Sequence, residues 1–153
     1  IHAGVETLVG ASLALDRAEQ HRIEPTLSLT LNDFSFDGDA IYEDNDLPAA
    51  PGYAVRGELL YRHASGVYFG PTFDMIDDRY ADFSNTYKVD SYELIGLRAG
   101  YTNQRWEVFA EATNLLDKDY VALVSVRNVA SPDAAVIYPG APLSFYAGVR
   151  FQL

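Results

Sequence analysis

Acidic side chains concentrate in two segments of the chain, and clustered carboxylates are groups that can hold a metal cation. The two sets are Asp37, Asp39, Glu43, Asp44 and Asp46, and then Asp74, Asp77, Asp78 and Asp82. Carboxylate and carbonyl oxygens are the ligands that Ca²⁺ prefers, but the spacing in neither set matches the loop of EF-hand calcium sites. We therefore interpret these acids as solvated loop residues and predict no metal site from them.

The use of histidine and cysteine argues against a catalytic or transition-metal site. The chain has no cysteine, which excludes thiolate zinc sites, disulfides and cysteine nucleophiles. The histidines are scattered, at His2, His21 and His63, and the last two fall at predicted turns, away from the acids. A hydrolase would need a nucleophile, a base and an orienting group in one place. We predict no enzyme, no catalytic residue, no metal and no cofactor.

The overall composition excludes two further classes of protein. The 153 residues include 22 acidic and 11 basic side chains, a formal net charge of -11, so the chain lacks the basic field that binds nucleic acid. No apolar run is longer than the one at residues 120–124, whereas a membrane-spanning helix needs roughly 20 apolar residues. With 48% hydrophobic residues, the chain is still apolar enough to fold.

Apolar and polar residues alternate with a period of two in nearly every stretch between turn signals, which indicates β-strands. Pro71 lies inside one of these strands, where its missing amide donor predicts a local irregularity. The seven predicted strands cover residues 5–15, 26–32, 55–62, 67–75, 93–101, 106–113 and 143–153.

Short and long connections alternate strictly between these strands. The short turns are 16–22, 65–66 and 102–105, and the long loops are about 37–53, 77–90 and 117–142. This alternation predicts an up-and-down antiparallel sheet with tight turns at one end and long loops at the other. Strands of roughly 9 to 12 residues are also long enough to cross a bilayer when they are tilted.

The two faces of the predicted sheet differ in chemistry. One face is aliphatic in its middle and aromatic near its ends, as a lipid-facing band would be. The other face carries charges at strand centres, which would be costly in a dry core but can line a wet lumen. We assign to this second face Glu6, Arg56, Glu58, Arg62, Glu93, Arg98, Glu107, Glu111 and Arg150. A soluble ligand-binding β-barrel, with its apolar face inside, is the alternative that the period alone leaves open.

The last third of the sequence carries the most specific motif. Residues 106–120 end in Asn114-Leu115-Leu116-Asp117-Lys118-Asp119-Tyr120, and Pro139-Gly140 follow before the closing strand. This segment resembles the end of the barrel of TonB-dependent outer-membrane receptors, and similarity extends over nearly the whole chain. Asn114, Leu115, Asp117, Tyr120, Pro139 and Gly140 are interpreted as family markers with a structural role. Asn and Asp at a strand end commonly order a loop through side-chain to backbone hydrogen bonds.

The closing strand is similar to the signal that the barrel-assembly machinery of this family reads by strand pairing. Tyr146, Gly148 and Phe151 fit its pattern, and Leu153 stands where the family usually has Phe. Any amphipathic edge strand that ends a barrel could look the same, so both readings remain open here.

The resemblance implies an all-β, antiparallel, up-and-down transmembrane β-barrel segment of about seven strands. Residues 1–153 would be the C-terminal part of an outer-membrane barrel of about 22 strands, with the plug domain and the earlier strands absent. Such receptors import scarce nutrients, most often ferric siderophores, with energy delivered through TonB. The expected partners are lipid, the rest of the barrel and plug, TonB through the missing N-terminal region, the assembly machinery and a siderophore. A small outer-membrane barrel lacking an eighth strand is a further alternative.

Aromatic side chains on the long loops are the candidates for ligand contact under this resemblance. Tyr42, Tyr80 and Tyr87 could stack on or hydrogen-bond a siderophore, and Asp44 lies beside Tyr42. Tyrosine is also an ordinary residue at membrane interfaces, so these four residues are weak candidates.

Overall fold

The computed structural model describes residues 5–12, 15–16, 20–130 and 137–151, with side chains from residue 20 onward. Within these ranges the regular structure consists of β-strands, and no helix there is long and apolar enough to span a membrane. The strands are β1 (Val5–Ser12), β2 (Leu15–Asp16), β3 (His21–Asp33), β4 (Tyr53–His63), β5 (Val67–Ile76), β6 (Arg79–Tyr80), β7 (Lys88–Val89), β8 (Tyr92–Thr102), β9 (Trp106–Thr113), β10 (Val121–Val124), β11 (Ile137–Pro139) and β12 (Ser144–Phe151).

The long strands form one antiparallel meander in the order β1-β3-β4-β5-β8-β9-β12, and β2 pairs with β3 beside β1. This confirms the prediction of an all-β, up-and-down antiparallel sheet. The predicted turn at 16–22 is wrong at its two ends, because Asp16 belongs to β2 and β3 already begins at His21, where it pairs with His63 of β4. Leu153, the last residue of the predicted assembly signal, lies outside the described residues.

One apolar face runs in register across the sheet. Leu27 of β3 lies opposite Gly57 of β4, which lies opposite Phe73 of β5, which lies opposite Ile95 of β8. Because side chains alternate with a period of two, this register places the apolar residues of every strand on the same side. The large exposed side chains of this face are Ile23, Leu27, Leu31, Leu59, Val67, Phe69, Phe73, Met75, Ile95, Leu97, Trp106, Val108, Phe145, Val149 and Phe151.

Glu93 corrects the sequence-based assignment of faces. It pairs with Met75 in the same register that pairs Phe73 with Ile95, so its side chain emerges on the apolar face. Glu93 lies near the loop end of β8, where its carboxylate binds the Lys118 ammonium at 2.5 Å. The ion pair explains how a charge is accommodated at the edge of an otherwise apolar surface.

The polar face is the sheltered side of the sheet. In β5 the Tyr68 side chain is only 1% exposed, whereas Val67 and Phe69, on either side of it, are 43% and 50% exposed on the apolar face. A soluble barrel with an apolar interior would show the reverse pattern. Among the described residues no pairing joins β1 to β12, so the sheet is an open arc.

Aromatic rings cover glycines on the polar face. A Cβ atom at Gly100 would meet the Tyr68 ring at 2.5 Å, and one at Gly148 would meet the Phe109 ring at 2.6 Å. These glycines are therefore required by close approach of a side chain from the neighbouring strand.

The irregularity expected at Pro71 lies on its β4 side. The β4–β5 ladder pairs Glu58 with Thr72 and resumes at Tyr61 and Phe69, while Leu59 and Leu60 are unpaired toward β5. On its other side Pro71 pairs with Leu97 without a break. Pro71 has no amide hydrogen to donate, which explains why only one ladder is interrupted.

Two of the long connections contain small hairpins that the sequence pattern does not reveal. β6 pairs with β7, and β10 pairs with β11. Strands of two to four residues are too short to display a period of two, so both segments read as irregular loops. The hairpins enclose a small core made by Ala81, Val89 and Ala130.

Candidate functional site

The long connections pack together at one end of the sheet and form a second folded unit, which we call the loop cap. It comprises residues 34–52, 77–91, 114–130 and 137–143. The first part, 34–52, follows β3, the second, 77–91, follows β5, and the third, 114–130 with 137–143, follows β9. These three strands all run toward the same end of the sheet. The loop cap and the polar face are the two surfaces where functional residues could lie.

Asp82 is at the centre of the loop cap and is fully buried, with an exposure of 0%. Its carboxylate accepts hydrogen bonds from the amides of Thr86, Tyr87 and Ala130 at 3.0–3.1 Å and from the Thr86 hydroxyl at 2.5 Å. The interpretation of Asp82 as a solvated loop acid is therefore wrong. Its sequence context gives no hint of burial, because the Ala130 donor lies far away in the chain.

These hydrogen bonds also determine the ionisation of Asp82. Burial alone would raise the pKa of the Asp82 carboxyl, but the hydrogen bonds from Thr86, Ala130 and Tyr87 outweigh burial and lower the pKa below its ordinary value. Asp82 is therefore a carboxylate at neutral pH, held by donors from two separate loops.

Arg79 makes the second link between the same two loops. Its side chain is buried, and its Nη2 atom donates to the carbonyl oxygens of Val121 and Ala122 at 2.9 and 3.2 Å. The guanidinium also lies over the ring of Tyr92, 5.9 Å from its centroid. Arg79 and Asp82 thus attach the segment around β6 and β7 to the segment around β10.

The first loop joins this pair through aromatic packing and backbone bonds. Phe36, Tyr42 and Phe83 form a cluster with ring centroids 5.2–6.0 Å apart. The Asn45 side chain donates from Nδ2 to the Phe83 carbonyl at 2.9 Å, and the Ala49 backbone amide donates to the Tyr80 carbonyl at 2.8 Å. All three long loops are therefore held as one unit.

The four sequence-predicted ligand candidates are spread over the loop cap and do not meet at one point. Tyr42 belongs to the aromatic cluster, and Asp44 accepts a hydrogen bond from the Gly38 amide at 2.9 Å. Tyr80 packs near the Lys88 ammonium, 5.8 Å from the ring centroid, and Tyr87 packs against the small core. Tyr80 lines a cleft of about 210 Å³, and Tyr87 lines a second cleft of about 500 Å³.

Asn114 closes the turn that follows β9. Its Nδ2 atom donates to the carbonyls of Lys118 and Ala141 at 2.9 and 3.1 Å, and its Oδ1 atom accepts from the Lys118 amide at 2.9 Å. Asp117 accepts from the Leu143 amide at 2.8 Å. Asn114 and Asp117 have φ values of 52° and 49°, a left-handed conformation that Asn and Asp tolerate well. These contacts order the loop and leave Asn114 buried.

Tyr120 links the same motif to the next segment. Its ring lies 4.5 Å from the Tyr92 ring, centroid to centroid, and a Cβ atom at Gly140 would overlap it on the other side. The Gly140 amide donates to the Tyr120 carbonyl at 2.7 Å, and Pro139 pairs with Val121. Leu115 donates its amide to Ile95. Tyr120 and Gly140 therefore meet in space although they are far apart in the sequence.

The residues of the predicted assembly signal lie on β12, which pairs only with β9 among the described strands. Phe151 lies opposite Trp106 on the apolar face, whereas Tyr146 lies opposite Glu111 on the polar face. Gly148 receives the Phe109 ring. The strand thus offers one unpaired edge and two chemically distinct faces.

Ion pairs cover the polar face. The Tyr68 hydroxyl donates to Glu107 at 2.7 Å, and a groove of about 400 Å³ crosses this face beside Glu58, Thr72 and Glu111. Such a wall suits contact with water or a polar partner. The ion pairs of the polar face are Arg62–Glu24 at 2.6 Å, Arg56–Asp74 at 2.9 Å, Arg150–Glu107 at 3.1 Å and Arg98–Glu58 at 3.5 Å.

The described part of the chain holds no group of three metal-ligating side chains.

Replacing Asp82 by alanine is expected to loosen the two parts of the loop cap that its carboxylate joins. The change leaves the amides of Thr86, Tyr87 and Ala130 without their acceptor, and each unsatisfied buried donor costs roughly 1–3 kcal/mol. Hydrogen exchange followed by mass spectrometry should show faster exchange in 77–91 and 121–130, with the sheet unchanged. Asp78→Ala is the control, because Asp78 makes only an exposed ion pair with Lys88. Equal exchange in both variants would contradict a central role for Asp82.

The loop cap should also respond to acid through Asp82. Its pKa is lowered in the folded state, so its stabilising contribution is complete above the unfolded carboxyl value of about 4 and is lost as the pH falls through the lowered folded value. Exchange in 77–91, corrected for intrinsic rates, should stay constant from about pH 7 to pH 5 and rise only below about pH 4. In Asp82→Ala this acid-dependent rise should be much smaller. A loss of protection near neutral pH would contradict the assignment.

Comparison with known proteins places this geometry in a family. A family model described as "TonB dependent receptor-like, beta-barrel" matches residues 2–115. Three solved structures share the fold. The siderophore receptor PiuA from Acinetobacter baumannii has a TM-score of 0.65 and 20% sequence identity to this chain. The ferric-catecholate import receptor Fiu from E. coli K12 has a TM-score of 0.57 and 19% identity. The ferric yersiniabactin uptake receptor FyuA from Yersinia pestis has a TM-score of 0.62 and 17% identity.

These alignments cover 95–97% of this chain but only 21–23% of the other chains, so the chain spans about a fifth of their length. At this level of identity the structures establish the fold, and the family model establishes the relationship. The prediction that the chain is not an enzyme agrees with membership of a receptor family. With its open antiparallel sheet, exposed apolar face and charged polar face, the chain belongs to the TonB-dependent receptor β-barrel family.

Proposed function

We propose that this chain forms part of the barrel wall and the outer loops of an outer-membrane receptor that imports a ferric siderophore with energy from TonB. The observation that carries the proposal is the match of nearly the whole chain to three receptors whose names specify siderophore or ferric-ligand uptake. The family to which the chain belongs is a receptor family.

The exposed apolar face supports placement in a bilayer. Leu27, Leu59 and Leu97 are all at least 43% exposed, on strands long enough to cross a hydrocarbon core. Aromatic pairs lie on the same face at the short-turn end, with Tyr61 5.2 Å from Phe69 and Tyr101 5.3 Å from Trp106, centroid to centroid. Aromatic side chains near the ends of membrane-spanning strands are typical of the membrane interface.

The two free edges support a larger barrel. Among the described strands, β1 and β12 each have one neighbour, and long unpaired edges favour association with further strands. We infer that further strands close the barrel, that a plug domain contacts the charged polar face, and that residues 1–153 form the C-terminal part of the whole. β12 would then carry the assembly signal, with Tyr146, Gly148 and Phe151 on its exposed edge.

The loop cap would face the outside of the cell and meet the ligand first. Of the predicted candidates, Tyr80 and Tyr87 line clefts, whereas Tyr42 packs inside the aromatic cluster. Tyr80 and Tyr87 are therefore the residues that we propose for ligand contact. Phenol rings can both stack on and hydrogen-bond an aromatic or carbonyl-rich iron chelator.

Leu97→Arg should distinguish a lipid-facing surface from a solvated one. Leu97 is 46% exposed near the centre of β8 on the apolar face, and an arginine at the bilayer midplane costs about 2–4 kcal/mol in such barrels. The measurement is the free energy of unfolding of the intact protein in lipid vesicles by denaturant titration. Thr26→Arg, opposite Glu58 on the polar face, is the matched control and should be nearly neutral. Equal costs, or a greater cost for Thr26→Arg, would show that the apolar face is solvated and would contradict its placement in a bilayer.

Uptake of radioactive iron tests the transport proposal. Cells that lack their other siderophore receptors and express the intact protein should accumulate ⁵⁵Fe from at least one ferric siderophore, and deletion of TonB should abolish this uptake. Tyr80→Ala combined with Tyr87→Ala should raise the half-saturating concentration several-fold without lowering receptor abundance. Tyr138→Ala, at an exposed tyrosine of β11, is the control. TonB-independent uptake would contradict the mechanism, and absence of uptake across catecholate, hydroxamate and mixed chelators would contradict the ligand class.

A further inference from the structure

A histidine pair lies at the short-turn end of the sheet, outside the loop cap and the polar face. His21 of β3 and His63 of β4 are direct cross-strand partners, although the sequence separates them widely. Their ring centroids are 5.3 Å apart, with an angle of 55° between the ring planes. Both side chains emerge on the apolar face, next to the tight turn at Ser65 and Gly66.

The distance between the rings matches joint coordination of one metal ion. Imidazole nitrogens bind Zn²⁺ at about 2.0–2.1 Å, so two imidazoles on one tetrahedral ion have centroids roughly 5 Å apart. Directly opposed residues of an antiparallel pair have neighbouring Cβ atoms, which makes such convergence possible without distortion of the backbone.

Each imidazole is also positioned through its Nδ1 atom. The Nδ1 atom of His21 lies 2.7 Å from the Tyr61 hydroxyl, and that of His63 lies 2.8 Å from the Ser65 hydroxyl. Metal-bound histidines commonly use one ring nitrogen for the metal and donate from the other to a fixed acceptor. In the metal-bound tautomer, His63 donates to the Ser65 hydroxyl and gives up the longer contact of 3.2 Å from the Ser65 amide. Both Nε2 atoms are then available as ligands.

The neighbouring charges permit a cation here. Arg22 and Arg62 lie on the other face of the same strands, and both guanidinium groups are paired with Glu24, at 3.2 and 2.6 Å. The single Glu24 carboxylate compensates one of these two positive charges, and both guanidinium groups are directed away from the histidine pair.

We propose that His21 and His63 bind a divalent first-row transition-metal ion, such as Zn²⁺, Ni²⁺ or Cu²⁺, that bridges β3 and β4. Imidazole is a preferred ligand of these ions, and Cu²⁺ binds most strongly among them. Water completes the coordination sphere, so the site is an exchangeable one. The inference depends on the cross-strand geometry and not on the transport proposal.

The test uses the intact protein in detergent, purified without a histidine tag and stripped of metal with a chelator. Titration calorimetry with ZnCl₂ gives the stoichiometry and affinity, and electron paramagnetic resonance of added Cu²⁺ reports coordinated nitrogen. His21→Gln and His63→Gln should each remove one equivalent of binding or weaken it by roughly 100-fold, because either change destroys the chelate. The double variant should lose no more than either single variant.

Matched variants make the result specific. His2→Gln removes the remaining histidine of the chain and should leave the isotherm unchanged. Tyr61→Phe and Ser65→Ala keep both imidazoles and should weaken binding by roughly tenfold, because they remove only the groups that orient the rings. These two variants also serve if a histidine variant fails to give the parent circular dichroism spectrum. Unchanged binding in either histidine variant, or in both orienting variants, would overturn the proposal.

Discussion

The strand register is the constraint on which the rest of this structure depends. Every long strand pairs antiparallel with its neighbour, and the pairing keeps most of the apolar residues of these strands on one face. A slip of one residue in any pair would bring Leu or Phe side chains to the charged face and charges to the apolar face. Because one face requires apolar side chains and the other requires polar ones, both faces select the same register.

The charged face is organised by pairing and not by isolated ions. Arg62 bonds Glu24, Arg98 lies near Glu58, and Glu107 accepts from both Arg150 and Tyr68. Partly exposed ion pairs of this kind contribute little stability individually. Their effect is to keep the wall hydrophilic while leaving few charges uncompensated, which is what a barrel interior filled by water or by another domain requires.

The loop cap depends on a different principle, because it has few apolar residues to bury. Beside the aromatic cluster of Phe36, Tyr42 and Phe83, its buried core has only the small or medium side chains of Ala81, Val89 and Ala130, and Asp82 is buried as well. A buried carboxylate stabilises such a unit when every oxygen has donors, and Asp82 receives four hydrogen bonds from two loops. The long loops are thereby presented as one surface above the polar wall.

The sequence by itself determined the strands, their alternation of faces and the end at which the long loops lie. These features follow from local period and turn chemistry, and several short motifs taken together, among them Asn114, Asp117 and Tyr120, indicated the family that the match over residues 2–115 confirms. Only the tertiary structure decided which face is sheltered, that Asp82 is buried, and that His21 meets His63. Burial and cross-strand pairing depend on residues far apart in the chain. The sequence pattern predicted Glu93 on the wrong face, because at this strand end an ion pair takes the place of the apolar pattern. The short hairpins of the loop cap were not predicted, because their strands are too short to show a period of two and are held by contacts between loops.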